Sequence, residues 1–368
     1  MKFMKKSFFC IVLFFCSVFL FGLNTYSDSS VKLFRQAKLY YETQEYGKAL
    51  RSAEDALYYR KSQIEKEKQI IINTLSSPQV KRAGDKISNI MPVLKEREEI
   101  DSVELINYYV KKKGLEYFDD SITQLQKYIA EQEFYPEAQK LIGDIYKLEG
   151  EYQFAEEYYK TALSHSDIFD IPDEKFEILY LLVDISQLQE DYDQMEIRLL
   201  NIIGTEQYQK NASLVRAIKN TLSKNDKNVV LKFFDLYRLQ NVYSLKAYTM
   251  LAEYYYSLNE YEKAFDYCSL AVITGFTRMY EIVDKRNISF EFTGIESLLQ
   301  ELIYHEDIIE WGKSNNIWYS FSLLCQISDK MGYNQFAFDL LCILARSAPE
   351  KYWQQEAVLK LDEIDGVK

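Results

Sequence analysis

Proline and glycine are scarce, at 5 and 12 of 368 residues. A chain of many short strands needs both at its turns, so an all-β fold is excluded and helices are left. Histidine is scarcer: His165 and His305 stand 140 residues apart. Neither has a cysteine or second histidine at zinc-ligand spacing, and His305, in Tyr304-His305-Glu306-Asp307, reads as a partly exposed helix residue. G-x-S-x-G, G-x-G-x-x-G and G-x-x-x-x-G-K-[ST] are all missing, so no nucleophile elbow or phosphate loop is expected. Carboxylate pairs such as Glu156-Glu157 and Asp119-Asp120 sit on the solvent faces of helices in an acidic protein and carry no catalytic signal. The expectation is a non-enzyme with no cofactor and no metal.

Basic charge is also short, with 44 Lys and Arg against 56 Asp and Glu, a net charge of −12. No basic run of five occurs, which argues against a nucleic-acid partner. Of the 5 cysteines, Cys10 and Cys16 fall near the N-terminus, leaving Cys268, Cys325 and Cys342. An odd number on helical positions is no disulfide framework, and Cys268 reads as a core thiol. What the chain has in quantity is apolar and aromatic surface: 48% hydrophobic, with 31 Tyr and 22 Phe. That is ample for two or three domains or one elongated array.

Residues 1–27 read as an export segment. Lys2, Lys5 and Lys6 precede the apolar run Phe8–Leu23, and Thr25-Tyr26-Ser27 offers small residues before a cut ahead of Asp28. Sixteen residues is short for a spanning helix, which needs about 20. An uncleaved anchor is the alternative.

The stretch Tyr135–Ser166 organises the rest. Gly143, Tyr146, Gly150, Tyr152, Ala155, Tyr159 and Ala162 follow at spacings of 3, 4, 2, 3, 4 and 3. Read as two helices joined at Gly150, the small residues let the backbones approach and the tyrosines fill the gaps. Ala37, Tyr40, Tyr46, Ala49, Ala53 and Ala56 repeat the spacing, and so do Ala252, Tyr255, Tyr261, Ala264, Cys268 and Ala271. This pattern resembles the tetratricopeptide repeat, a helix–turn–helix unit that stacks into a solenoid.

The resulting expectation is an all-α, tetratricopeptide-type helix–turn–helix solenoid. After the signal segment 1–27, a first repeat covers 28–60 and a non-repeat helical insertion 61–101. Repeat-like arrays cover 102–203 and 204–278, and degenerate hairpins with a C-terminal capping helix cover 279–368. Within these, Ser77-Pro78 opens a new helix, Pro92 kinks or ends it, and a further helix spans 101–113. Val183, Tyr192, Met195, Leu199 and Ile202 mark a degenerate unit, and Ile218, Val230, Phe234 and Tyr237 another. One helix is expected over Ile295–Gly312, a hairpin over 317–348, and the capping helix over 350–364.

In the family it resembles, the first helix of each hairpin lines a concave groove where partner peptides lie. The resemblance therefore implies partner-binding residues Lys38 and Tyr41, then Lys140, Asp144 and Lys147. From the third repeat it implies Lys246, Met250, Glu253 and Tyr256, and from the last hairpin Trp318 and Phe321. Repeated lysines in an acidic protein suggest clamping of a partner's carboxylates. No Asn accompanies Lys140 or Lys246, so recognition of a chaperone C-terminus is not implied. The leading reading is an exported, periplasmic scaffold binding another envelope protein through this groove, touching membrane only through an uncleaved N-terminal segment. The alternatives are a small-molecule-binding periplasmic module feeding a transporter, and a membrane-anchored assembly arm.

Overall fold

The computed structural model describes residues 29–204, 208–223, 228–234 and 242–366. The expected export segment, residues 1–27, lies outside these, as does Tyr237. The described residues are all-α, with no strand; their one extended pairing is an isolated bridge between Lys86 and Ser121. Contacts divide the chain into two compact units, Met1–Ile178 and Leu179–Lys368. No helix among the described residues is long and apolar enough to cross a membrane.

The first unit runs α1 (Ser29–Glu42), α2 (Tyr46–Ser76), α3 (Pro78–Ala83), α4 (Ile87–Glu96), α5 (Ile100–Lys113), α6 (Ile122–Glu131), α7 (Pro136–Leu148) and α8 (Tyr152–Ser164). The boundary falls inside α9 (Glu174–Leu188). The second unit continues with α10 (Tyr192–Gly204), α11 (Tyr208–Leu222), α12 (Val229–Phe234), α13 (Leu245–Ser257) and α14 (Tyr261–Arg286). It ends with α15 (Ile295–Leu302), α16 (Glu306–Ser314), α17 (Ile317–Lys330), α18 (Asn334–Ser347) and α19 (Lys351–Gly366).

Six turns among the described residues share one geometry. Each places a left-handed residue after the first helix: Gln44, Glu98, Gly150, Glu190, Asn259 or Gly332. The next amide then donates back to the carbonyl five residues earlier, Glu45 to Tyr40, Glu99 to Leu94, Glu151 to Tyr146, Asp191 to Ser186, Glu260 to Tyr255 and Tyr333 to Ser328, all at 2.8–3.0 Å. This double-bonded helix end satisfies carbonyls the helix leaves open and reverses the chain into the next helix. Four of the six left-handed residues carry a side chain, at a cost of about 1 kcal/mol each.

Small residues bring paired helices together. Ala37 of α1 and Ala49, Ala53 and Ala56 of α2 are wholly buried in one cluster. Gly143 of α7 lies so close to Tyr159 of α8 that a methyl there would be 2.6 Å from the ring. Beyond the first hairpin, α2 runs on as the expected extension, and Ile64 and Ile71 pack with residues of α3 to α6. Buried Glu67 on that extension accepts a hydrogen bond from the Tyr109 hydroxyl at 2.7 Å.

In the second unit, α14 is the central element, with fourteen buried residues over 26 positions. Ala264, Cys268 and Ala271 are wholly buried, the Cys268 thiol donating to the Ser320 carbonyl of α17 at 3.2 Å, and Gly275 takes the tip of Ile317 from α17, where a methyl would lie 2.3 Å from Cδ1. Cys268 is the core thiol the sequence suggests, and burial raises its pKa.

Three local expectations differ from the structure. The helix opened by Ser77-Pro78 stops at Ala83, and Pro92 lies inside a second helix, α4, without ending it. α14 runs eight residues past Arg278, where the repeat pattern stops, because its later turns stay apolar and buried through Val283. The single helix expected over Ile295–Gly312 is two, interrupted at Ile303–His305, where the His305 amide closes a turn onto the Leu302 carbonyl at 2.9 Å.

Candidate functional surface

In the earlier hairpins the first helix has one face against its partner and another toward solvent, and most of the expected site residues lie on the second. In the first unit, Lys38 is exposed on α1 and Tyr41 is half-buried one turn on. On α7, Lys140, Asp144 and Lys147 follow at helical spacing. The first turn of α9 adds Glu174 and Glu177.

These groups converge. Lys140 Nζ lies 3.2 Å from Asp144 Oδ2 and 3.1 Å from Glu177 Oε1. Asp144 Oδ1 accepts the Tyr159 hydroxyl at 2.6 Å. The side chains of Lys140 and Asp144 are only 16% and 15% exposed, so the pair is largely desolvated. Burial raises the Asp144 carboxyl, and Lys140 and Tyr159 only partly offset it. Burial pushes Lys140 the other way, but Asp144 and Glu177 outweigh it and hold the ammonium above its ordinary value. Tyr41 is raised by burial and by the nearby Asp144 charge. Lys140 therefore does not offer a free ammonium to a partner's carboxylate. It closes an internal network, whereas Lys38 is exposed and Tyr41 and Lys147 are half-buried.

In the second unit, Lys246, Met250, Glu253 and Tyr256 share one face of α13. Lys246 is exposed, with Nζ 4.9 Å from the Tyr180 ring centre and 3.9 Å from Asp184. The Tyr180 hydroxyl accepts the Ala247 amide at 3.0 Å and so fixes the start of α13. Met250 and Tyr256 are half-buried at the core edge. Burial raises the Glu253 carboxyl, and the Tyr319 hydroxyl of α17 opposes that. No ion pair to Glu253 appears among the described residues.

Trp318 and Phe321 do not belong to this surface. They are 1% and 0% exposed, and both rings lie 5.6 Å from Phe276. The reason is legible in α17, IWYSFSLLCQISDK, which is apolar nearly all round; such a helix is buried rather than presented. Its half-exposed aromatic is Tyr319, which the sequence reading missed. No group of three potential metal ligands occurs among the described residues.

Burial raises Glu137, Asp144, Glu174, Glu253 and Asp266 above the ordinary range. A raised carboxyl holds its proton more tightly folded than unfolded, so its contribution is full below about pH 4 and is lost as pH rises through the folded value. His165, stacked 3.5 Å from Phe134 and lowered by burial, works against this as pH falls below about 6.5. Asp85, Asp120 and Asp307, lowered by their hydrogen bonds, lose their contribution only in stronger acid. Each raised carboxyl therefore favours folding more at about pH 4 than at pH 7.5, and Glu253→Gln, neutral at both, is expected to gain Tm relative to the parent as pH rises between them. Thermal melts followed by circular dichroism check it, and a variant that loses ground to the parent over that rise would contradict the assignment.

No protein-family model matches the chain. An uncharacterized protein of Treponema pallidum is 25% identical over 333 residues, covering 89% of this chain and 88% of that one. An uncharacterized protein of Borreliella burgdorferi is 24% identical over 219 residues, covering 54% of this chain and 67% of that one.

Proposed function

We propose that this chain is an exported, periplasmic tetratricopeptide-type repeat protein that binds another protein of the cell envelope along the solvent faces of its first helices. The observation that carries the reading is a coincidence of pattern and geometry. The three sequence matches to the repeat spacing fall on three hairpins with the same turn, at Gln44, Gly150 and Asn259. In each, the small residues of the pattern are buried between the helices. The outward faces carry Lys38 and Tyr41, Lys147, and Met250 and Tyr256. Tyrosine and methionine suit an interface, because they present large contact area at a low ordering cost or adapt to a partner's shape. The scarcity of histidine and of metal-ligand spacing supports a binding role over a catalytic one.

The chain starting at Asp28 would be used to capture partners from envelope extract, beside a variant carrying Tyr41→Ala, Lys147→Glu, Met250→Ala and Tyr256→Ala. Capture that drops at least about tenfold in a variant with an unchanged melting curve supports the reading. Equal capture by both proteins refutes this surface. N-terminal sequencing of the exported protein tests cleavage: a start at or near Asp28 removes the anchored-arm alternative.

A further inference from the structure

In the second unit a cavity of about 320 Å³ opens where the end of α16, the start of α17 and the start of α19 meet. Its aromatic walls are Tyr319, Tyr352 and Trp353, and its charged groups are Glu350 and Lys313. Tyr352 and Trp353 stand nearly perpendicular, at 80° with centres 4.8 Å apart, and Tyr319 lies 6.3 Å from Trp353 at 55°. Three ring planes of different orientation thus surround one small space. Tyr352 is 61% exposed, an uncommon placement for an aromatic ring that serves only the core.

The cavity's carboxylate and ammonium are differently engaged. Half-buried Glu350 has no ion pair among the described residues. Lys313 is more than half exposed, and its Nζ lies 3.8 Å from Glu310 outside the cavity. An anion would meet the unpaired Glu350, with Lys313 already drawn toward Glu310. A metal ion would find none of the clustered ligands it needs among the described residues. A soft, weakly hydrated cation gains from both the ring faces and the carboxylate.

We propose that this cavity binds a free organic cation carrying a quaternary ammonium group. The ammonium would sit against the faces of Trp353, Tyr352 and Tyr319 with Glu350 as counter-charge. The volume is at the small end of ligand sites, about 300–1,000 Å³, and suits a small molecule rather than a length of chain. None of the four positions altered in the capture variant lines the cavity.

The chain's three tryptophans, Trp311, Trp318 and Trp353, all fall between α16 and α19, so intrinsic fluorescence reports on this region. Tetramethylammonium chloride is titrated at constant ionic strength, with sodium chloride and sodium acetate as parallel series. The expected result is a saturable change with tetramethylammonium alone, weakened about five- to tenfold in Glu350→Gln and in Tyr352→Ala. Both variants keep every tryptophan and alter side chains outside the buried core, and matching melting curves establish that they fold. No saturable response, saturation by acetate instead, or equal binding by the folded variants would overturn the proposal.

Discussion

Tyr159→Ala is expected to destabilise the first unit by about 3–5 kcal/mol, the usual loss for emptying a large aromatic site in a core. Tyr159 is wholly buried against Gly143, and its hydroxyl holds Asp144. The partner substitution gives the sharper result. Gly143→Ala improves helix propensity by about 1 kcal/mol but adds a methyl 2.6 Å from the Tyr159 ring. Overpacking of this kind costs about 1–3 kcal/mol, so the single variant is a net loss. Once Tyr159 is alanine the obstruction is gone, and Gly143→Ala becomes stabilising by up to about 1 kcal/mol. Urea unfolding of the two single variants and the double variant measures this reversal of sign. Additive losses would mean that α7 and α8 do not approach closely here.

Lys140→Met is the second large effect, with an expected loss of about 2–4 kcal/mol. Removing the ammonium leaves Asp144 and Glu177 without their shared cation, beside Glu174 and Glu137. Asp144 is largely desolvated and stays costly to ionise alone. Lys140→Glu adds a further carboxylate to the group and is expected to be worse. Adding salt should recover little of the loss, because a buried pair is poorly screened. Thermal melts at low and high ionic strength would show this, and a variant as stable as the parent would mean the network contributes nothing. Lys140 is accordingly unsuited to testing partner binding, since its replacement disturbs the fold; Tyr41, Lys147, Met250 and Tyr256 are the positions to alter.

How much the sequence reveals depends on whether a residue type is forced. Small residues between helices are forced by the available distance, so Ala37, Gly143, Ala155 and Ala252 mark their hairpins without a structure. The turns are only half legible. Gly150 announces a left-handed position, but Gln44, Glu98 and Glu190 adopt the same conformation without a residue that favours it. The break at Ile303–His305 has no glycine or proline to signal it, and the helix pattern runs straight across.

The functional surface is legible by helix face more than by residue. Position within the hairpin locates Tyr41, Lys147, Met250 and Tyr256 on outward faces. Trp318 and Phe321 fail because the last hairpin's first helix is covered on nearly all sides, a tertiary fact that only its lack of a polar face hints at. Lys140 fails in another way. Its neighbour Asp144 is visible at helical spacing, but Glu177 arrives from α9, and no local pattern predicts that contact.

The most direct test of partner binding is site-specific photo-crosslinking in living cells. A photoreactive amino acid is placed at 41 and 256 on the proposed binding faces, and at exposed Tyr58 and Ile197 on the second helices as controls. The account predicts one and the same envelope protein crosslinked from 41 or 256, and not from 58 or 197. Crosslinks to that protein from the control positions alone would contradict it.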